Sequence, residues 1–309
     1  MSSATTPLDA HGSSAPPRLD DYTAPADMTE LVARARYEDL GPDGLDITSA
    51  ALIPAEQQGR AVMRARQAGV LAGAALLPAI VAAYDSAVKL ESLRVDAAKL
   101  QPGAEVARFT GPLRSILAIE RIALNFVTHL SGIATLTARH VELVRGTRAR
   151  ICDTRKTIPG LRGMAKYAVA CGGGVSHRMG LYDAVLIKDN HIAHLALADL
   201  GAAVRQAVER IGRQNLAVKF IEVEVDSLNQ LEQVLSAGMD FVLLDNLPPE
   251  VLRQAVVMRD RVAPGVLLEA SGGVNLDTVA AIAQTGVDRI SVGALTHSAP
   301  SLDLGLDIA

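Results

Sequence analysis

Six short apolar runs, separated by helical lengths of chain, occupy the sequence beyond residue 148. They lie at 149–155, 184–188, 220–225, 241–244, 266–270 and 289–292. Strands that are buried on both faces have nearly continuous apolar sequences, and their alternation with helices is typical of parallel β/α folds. The sequence therefore predicts a β/α unit with six strands. The segment at 167–171 has too ambiguous a period to be assigned.

Polar side chains or glycines follow nearly every one of these runs. They are Asp153 to Lys156, Lys188, Glu222 with Glu224, Asp245, Ser271 to Gly273, and Gly293. A β/α barrel places its functional groups at the carboxyl ends of successive strands. This pattern favours a barrel, with a doubly wound open sheet as the alternative.

The first 148 residues predict a separate α+β unit behind an irregular arm. Residues 1–26 are rich in Ser, Pro, Ala and Asp and have few large apolar side chains, which predicts disorder. The elements predicted after this arm are a helix from Met28, a strand at 61–70, a helix at 73–88, two strands within 93–111, and a helical stretch at 113–144 that is interrupted near Ser131 and Gly132.

The composition restricts the classes of protein to consider. Of 309 residues, 49% are hydrophobic and two are cysteines, Cys152 and Cys171, which lack metal-ligand spacing. Two reduced thiols predict the cytoplasm. A spanning run of ~18 apolar residues and a secretory signal are both absent, so we expect neither secretion nor membrane insertion. The net charge of -4 also argues against nucleic acid and anionic membranes as partners.

Cations concentrate between residues 155 and 188. A lone Arg or Lys is usually a solvated surface charge, but this segment has six cations against the single acid Asp183. Paired guanidinium donors suit carboxylates and phosphates. A phosphorylated ligand, a dicarboxylate or both are predicted. The basic residues are Arg155, Lys156, Arg162, Lys166, Arg178 and Lys188, together with His177.

Carboxylates follow the next strands. Period-2 alternation places Glu222 and Glu224 on one face of their strand, and Asp245 ends the following one. An all-oxygen set with no His or Cys ligand nearby suits Mg²⁺ bound partly through substrate phosphates. Alternatively, these acids only neutralise Lys188 and Arg155.

Glycines end the last two predicted strands, at Ser271 to Gly273 and Ser291 to Gly293. Backbone N–H groups there could bind a phosphate, as in many barrels, although a glycine after a strand is more often plain turn geometry. The nucleotide-triphosphatase loop, the dinucleotide fingerprint and the serine-hydrolase elbow are all absent from the sequence.

Ordered sequence blocks give the pattern a family resemblance. The chain resembles quinolinate phosphoribosyltransferases over roughly residues 28–309. The blocks are Glu120-Arg121, ALNF at 123–126, SGIAT at 131–135, CDTRKTIPGLR at 152–162, KYAV at 166–169, CGGG at 171–174, HRMGL at 177–181, LIKDNH at 186–191, EVEVD at 222–226, LLDN at 243–246, EASGG at 269–273 and GALTHS at 293–298.

The resemblance implies an incomplete, seven-stranded β/α barrel and an N-terminal α/β sandwich domain completed by the C-terminal segment. The implied division is a disordered arm at 1–26, the sandwich at 27–130 plus 296–309, and the barrel at 131–295. A homodimer is implied as well. The implied reaction transfers phosphoribosyl from 5-phosphoribosyl pyrophosphate (PRPP) to quinolinate with decarboxylation, giving nicotinate mononucleotide, pyrophosphate and CO₂ in de novo NAD biosynthesis.

The resemblance also implies a role for each matching residue. Lys156, Lys188, Glu224 and Asp245 are the implied catalytic residues. Arg155, Lys156, His177, Arg178 and Lys188 would hold the dicarboxylate and pyrophosphate. Glu224 and Asp245 would lie near the ribose hydroxyls and Mg²⁺, and the 5'-phosphate cradle would consist of Ser271, Gly272, Gly273, Ser291, Val292 and Gly293.

Arg121 is implied to reach the site of the neighbouring subunit. It belongs to an otherwise apolar helical stretch, where burying an unpaired cation would be costly. The adjacent Glu120 points about 100° away on a helix and is a poor partner. We therefore expect another anion near Arg121.

Three other functions compete with this interpretation. Nicotinate phosphoribosyltransferase has a related fold but expels no carboxylate. A Schiff-base aldolase would use Lys188 as its nucleophile. A non-catalytic protein would bind a pyridine dicarboxylate without turnover.

Overall fold

The computed structural model describes residues 17–214 and 216–308, which form two compact units. One unit contains residues 139–158 and 174–297. The other contains the described part of 14–138 together with 159–173 and the C-terminal segment from 298.

The first unit is built on a six-stranded parallel sheet. Its strands are β6 (Arg150–Cys152), β7 (Val185–Ile187), β8 (Ile221–Val225), β9 (Phe241–Asp245), β10 (Leu267–Ser271) and β11 (Arg289–Ser291). All six predicted strands are confirmed. The order β6-β11-β10-β9-β8-β7 lacks the reversal point of a doubly wound sheet. Val175 adds an isolated parallel bridge to Cys152 at the β6 edge.

Helices alternate with these strands as the sequence predicts. They are α6 (Asp189–Ile192), α7 (Leu197–Arg213), α8 (Leu228–Val234), α9 (Pro249–Val262), α10 (Val279–Ala283) and α11 (Ala294–His297). The strand cores are buried, as in Val223, Val242 and Leu268, each at 0% exposure. Because parallel neighbours run in one direction, their carboxyl ends meet at one edge of the sheet.

The second unit is built on a four-stranded antiparallel sheet, whose strands lie in the order β12 (Leu304–Ile308), β1 (Gln58–Ala65), β5 (Glu105–Pro112) and β3 (Lys89–Ser92). Its C-terminal strand lies against its first strand, with Ala61 opposite Ile308 and Ala65 opposite Leu304. A separate two-stranded sheet in this unit pairs β2 (Gly69–Val70) with β4 (Lys99–Leu100). Its helices are α1 (Pro25–Leu40), α2 (Ile47–Leu52), α3 (Leu77–Tyr84), α4 (Leu113–Leu143) and α5 (Arg162–Cys171). The last residues of α4, from 139, are grouped with the first unit.

The predicted arm at 1–26 is ordered over part of its length. Residues 1–16 lie outside the described residues. Leu19–Asp21 forms a 3₁₀ helix with Leu19 buried, and α1 begins at Pro25. Disorder is therefore the wrong prediction for residues 19–26, because the buried Leu19 anchors them and a proline favours a helix start.

The predicted interruption of the long helix is also wrong, since α4 is continuous. Ser131 accepts a hydrogen bond from Ala72 N at 3.0 Å and donates one to Ala72 O at 3.2 Å. A side chain at Gly132 would collide with the carbonyl of Pro300. Both residues serve close packing, which does not require a break in the helix.

The sequence offered no membrane-spanning run, yet α4 is long and apolar enough to cross a bilayer by length and composition alone. However, 56% of its most apolar window is buried inside the chain. The core helix of a globular protein has the same composition.

The ambiguous segment at 167–171 is helical and belongs to α5. This helix groups with the second unit, although the predicted barrel domain included its residues. Tyr167 Oη donates to Asp96 Oδ2 at 2.6 Å, and Asp96 also accepts from Ala74 N at 2.9 Å. These contacts tie α5 to the antiparallel unit.

Candidate active site

Two neighbouring guanidinium groups lie near the carboxyl end of β6. Arg178 is only 6% exposed. Burial lowers the pKa of the Arg178 guanidinium, and the like charge of Arg155 lowers it further. The nearby acids Glu222 and Asp183 raise this pKa, but their effect is smaller. Arg155 Nε is buried and has no hydrogen-bond partner among the described residues. Such a pair of cations requires an anion, and a ligand can supply it.

Lys188 and Glu224 form an ion pair at the ends of β7 and β8. Lys188 Nζ lies 2.6 Å from Glu224 Oε2, and the side chains are 44% and 11% exposed. Glu224 therefore neutralises the charge of Lys188, and whether it also serves the substrate stays a prediction.

A cavity of about 350 Å³ opens beside this ion pair, lined by four acids. Glu224 and Asp245 were predicted for the site, whereas Asp189 and Asp226 were not. Each missed acid directly follows or lies close to a predicted residue in the sequence, and that adjacency was the available signal. The donor set is made of carboxylate oxygens, which suits a hard divalent cation.

The turn after Asp245 brings β9 and β10 together. Asn246 has the left-handed φ of 55°, donates from its backbone to Ser271 O at 2.8 Å, and donates from Nδ2 to Asp245 Oδ2 at 2.7 Å. Gly272, at φ 98°, leaves room for the Asn246 side chain. A Cβ at Gly273 would meet no atom within 4 Å. The backbone at Gly273 is thus open, as the phosphate prediction requires.

The second predicted phosphate-binding segment, Ser291 to Gly293, is less accessible than the first. Ser291 is 4% exposed, and its Oγ faces Glu269 inside the sheet unit. Val292 N donates to Cys152 O at 2.9 Å, so this donor is used in the sheet. Gly293 packs against the side chain of Lys156, and a Cβ placed on this glycine would lie 3.2 Å from Lys156 Cδ. Ser291 and Val292 are buried and Gly293 is partly exposed, so only the backbone of Gly293 can face a ligand in this trio.

A buried charge network lies one layer below the strand ends. Glu222 and Glu269 are both 0% exposed, and Arg289 is 3% exposed. Arg289 pairs with Glu269 through Nε and with Glu222 through Nη2, the latter at 3.3 Å. Alternation along β8 correctly placed Glu222 on the face of Glu224. The sequence interpretation missed Glu269 and Arg289 as charged partners, although alternation along β10 places Glu269 on the face of Ser271.

Glu222 and Glu269 both pair with Arg289, but their pKa values are shifted in opposite directions. Burial raises the pKa of Glu269, and the charge of Glu222 adds to this effect against the attraction of Arg289. Burial acts in the same direction on Glu222, but Arg289 and the hydrogen bond from His177 outweigh it and lower the pKa of that carboxyl. The ring of Phe241 lies 3.9 Å from Arg289 Cζ and covers the guanidinium.

Arg121 and two cations of the basic segment belong to the antiparallel unit. The Arg121 side chain is 65% exposed and lies 4.0 Å from Glu120. The expectation that burial forces an anion near Arg121 is therefore wrong, because the residue faces solvent within its own chain. Arg162 and Lys166 lie on α5.

Comparisons with known proteins agree along nearly the whole chain. The family profile "Quinolinate phosphoribosyl transferase, N-terminal domain" matches residues 46–131, and the corresponding C-terminal profile matches residues 133–307. The nicotinate-nucleotide pyrophosphorylase [carboxylating] of Mycobacterium leprae is 45% identical over 285 residues, covering 90% of this chain and 96% of the relative.

Two further matches have similar coverage. Quinolinate phosphoribosyltransferase [decarboxylating] 2b of Nicotiana tabacum is 38% identical over 297 residues, covering 91% of this chain and 82% of the relative. The solved nicotinate-nucleotide pyrophosphorylase of Francisella tularensis superposes with a TM-score of 0.84 at 37% identity, covering 93% and 98% of the two chains.

Proposed function

This chain belongs to the quinolinate phosphoribosyltransferase family, and we propose on that premise how its residues divide the reaction between them. The enzyme transfers phosphoribosyl from PRPP to quinolinate with decarboxylation, giving nicotinate mononucleotide, pyrophosphate and CO₂ in NAD biosynthesis. It is a pentosyltransferase.

The observation that carries the assignment of the acceptor site is the pair Arg155 and Arg178. Two neighbouring guanidinium groups, one with a buried and unpaired Nε, match the two adjacent carboxylates of quinolinate. Lys156 and Lys188 add positive charge at the same edge of the sheet. We assign these four residues to quinolinate and the departing pyrophosphate.

The acidic cavity is assigned to PRPP. Glu224 and Asp245 line it and would accept hydrogen bonds from ribose hydroxyls. The all-oxygen donors fit Mg²⁺, which would be held by these two residues mainly through PRPP. When bound, the ion supplies charge neutralisation of the leaving pyrophosphate. The open backbone at Gly273, beside the closely packed Gly272, is assigned to the 5'-phosphate.

The chemistry needs orientation more than proton transfer. The pyridine nitrogen attacks C1 of the ribosyl ring with its own lone pair while the bond from C1 to pyrophosphate breaks. Lys156 and Lys188 stabilise the charge that develops on the leaving group. The ring nitrogen is then cationic and stabilises the electron pair that stays on C2 when the bond to CO₂ breaks, and that pair takes up a proton to form the new C2–H bond.

The finer architecture is also a proposal. The unreversed strand order and the bridge from Val175 to Cys152 support an incomplete barrel of seven strands. Exposure of Arg121 supports a homodimer in which this residue enters the partner's site. The two cysteines are buried and not joined in a disulfide, which supports a cytoplasmic enzyme.

A substrate test separates this function from its competitors. With PRPP and Mg²⁺, we expect quinolinate to disappear with equal amounts of nicotinate mononucleotide and pyrophosphate formed. Turnover of nicotinate in its place would indicate the non-carboxylating enzyme, and binding without turnover would indicate a silent relative. The ion pair with Glu224 disfavours Lys188 as an aldolase nucleophile, because the paired ammonium has no lone pair to donate.

A further inference from the structure

His177 has both ring nitrogens engaged by the protein. The backbone N–H of Arg178 donates to Nδ1 at 2.7 Å, so Nδ1 has no hydrogen. Because Nδ1 is the acceptor, the ring hydrogen is on Nε2, which lies 2.9 Å from Glu222 Oε2 and 3.6 Å from Glu269 Oε1. These contacts hold the imidazole as the Nε2–H tautomer, in one orientation.

The same residue is anchored through its backbone. His177 N donates to Asp153 Oδ1 at 2.9 Å, which ties the segment to the end of β6. The imidazole is 7% exposed and its edge packs on Phe220 with centroids 5.4 Å apart. A buried ring with both nitrogens in use has little left to offer a substrate directly.

The carboxylates that face Nε2 are themselves held in place. Arg289 bridges Glu222 on β8 and Glu269 on β10, and Ser291 donates to Glu269. These contacts join three strands to the loop that presents Arg178.

A metal ion is the competing explanation for this cluster. The ligand atoms of His177, Glu222 and Glu269 lie within 4.8 Å of one another. A cation there would have to displace the guanidinium of Arg289 and the hydrogen on Nε2. Arg289 already supplies the positive charge, so the contacts favour a network without metal.

We propose that Glu222, Glu269 and Arg289 are positioning residues that fix the tautomer of His177, and that His177 in turn fixes the backbone of Arg178 for quinolinate. The proposal rests on the assignment of Arg178 to quinolinate made above. It gives His177 a role through its Nδ1 acceptor rather than through contact with the substrate.

Two substitutions of His177 separate these roles. The amide oxygen of His177→Asn can replace the Nδ1 acceptor, whereas the amide nitrogen of His177→Gln can replace the Nε2 donor. We expect His177→Asn to keep quinolinate affinity within about threefold and His177→Gln to lose about tenfold, the cost of one hydrogen bond at a charged site. The opposite order would show that Nε2 contacts the substrate, and would overturn the proposal.

A matched pair of arginine variants tests the network. Arg289→Lys should raise KM for quinolinate about tenfold and leave KM for PRPP unchanged. Arg259→Lys is the control, because Arg259 is also buried and pairs with Asp288 at 2.7 Å, not with the carboxylates of Glu222 and Glu269. If Arg289→Lys and Arg259→Lys change the KM values for quinolinate and PRPP equally, the network only stabilises the fold. That result would contradict the proposal.

Nitrogen NMR of the unaltered full chain tests the tautomer without any dependence on variant folding. With ¹⁵N-labelled histidine, His177 should show a pyridine-like Nδ1 and a pyrrole-like Nε2. A protonated Nδ1 would overturn the proposal. Failure of the proposed function would look different, since the unaltered enzyme would then form no nicotinate mononucleotide.

Discussion

Lys188 Nζ lies 2.6 Å from Glu224 Oε2, so a cation assigned to one substrate and a carboxylate assigned to the other are directly paired across β7 and β8. The pair joins the basic and the acidic parts of the site. Because Glu224 is largely buried and Lys188 is not, substrate binding can redirect the lysine more readily than the carboxylate. The roles of the two parts can be tested separately.

Removing charge from the acidic cavity should affect PRPP and spare quinolinate. We expect Glu224→Gln or Asp245→Asn to lower kcat at least about tenfold and to raise the Mg²⁺ concentration needed for half-maximal rate, because both residues line the cavity. Steady-state kinetics with varied PRPP and Mg²⁺ measure this. Glu232→Gln, on the exposed surface of α8, is the control. Normal kinetics in both cavity variants would remove the acids from the reaction.

Arg178→Lys should weaken quinolinate binding about tenfold, although the charge is retained. Lysine cannot offer two parallel N–H donors to a carboxylate, and a hydrogen bond to a charged group contributes about 1.5–3 kcal/mol. Calorimetry with quinolinate measures the loss, and Arg253→Lys on the exposed face of α9 serves as the control. Wild-type affinity in Arg178→Lys would contradict the assigned clamp.

An intact Arg121 in one subunit should restore the active site of a partner subunit that lacks its own Arg121. Arg121→Ala and Lys188→Ala should each be nearly inactive. Random subunit exchange between them makes half the dimers mixed, each with one intact site, so activity should recover to about a quarter of the wild-type value. Light scattering and mass spectrometry of tagged subunits verify exchange. Complete exchange with no recovery would place both residues in one subunit's site.

The ion pair of Arg259 and Asp288 should matter for stability and little for catalysis. Both side chains are 1% exposed, and Asp288 Oδ2 also accepts from Leu268 N at 2.8 Å. Asp288→Asn leaves the buried guanidinium of Arg259 without the charge of Asp288. We therefore expect it to lower the free energy of unfolding by about 3–5 kcal/mol. Urea unfolding measures the change. Unaltered stability, or a selective loss of quinolinate affinity in the folded variant, would contradict this separation.

Local sequence patterns determined the elements of the parallel unit. Each apolar run became a strand because continuous burial on both faces demands it, and alternation placed Glu222 and Glu224 on one face of β8. The strand ends collected Arg155, Lys188, Glu224 and Asp245 because parallel strands share the edge at which they finish. Those residues could be named from the order of the chain.

Tertiary structure decided the features that depend on partners distant in sequence. Gly132 looked like a helix break, but its missing side chain admits the carbonyl of Pro300. Arg121 looked buried from its apolar neighbours, yet the helix turns it to solvent. Arg289 looked like the start of an apolar run, and only the pairing of β11 with β10 shows that it meets Glu269. Sequence periodicity specifies which face a side chain occupies, while the group it meets there is set by how the strands and helices assemble.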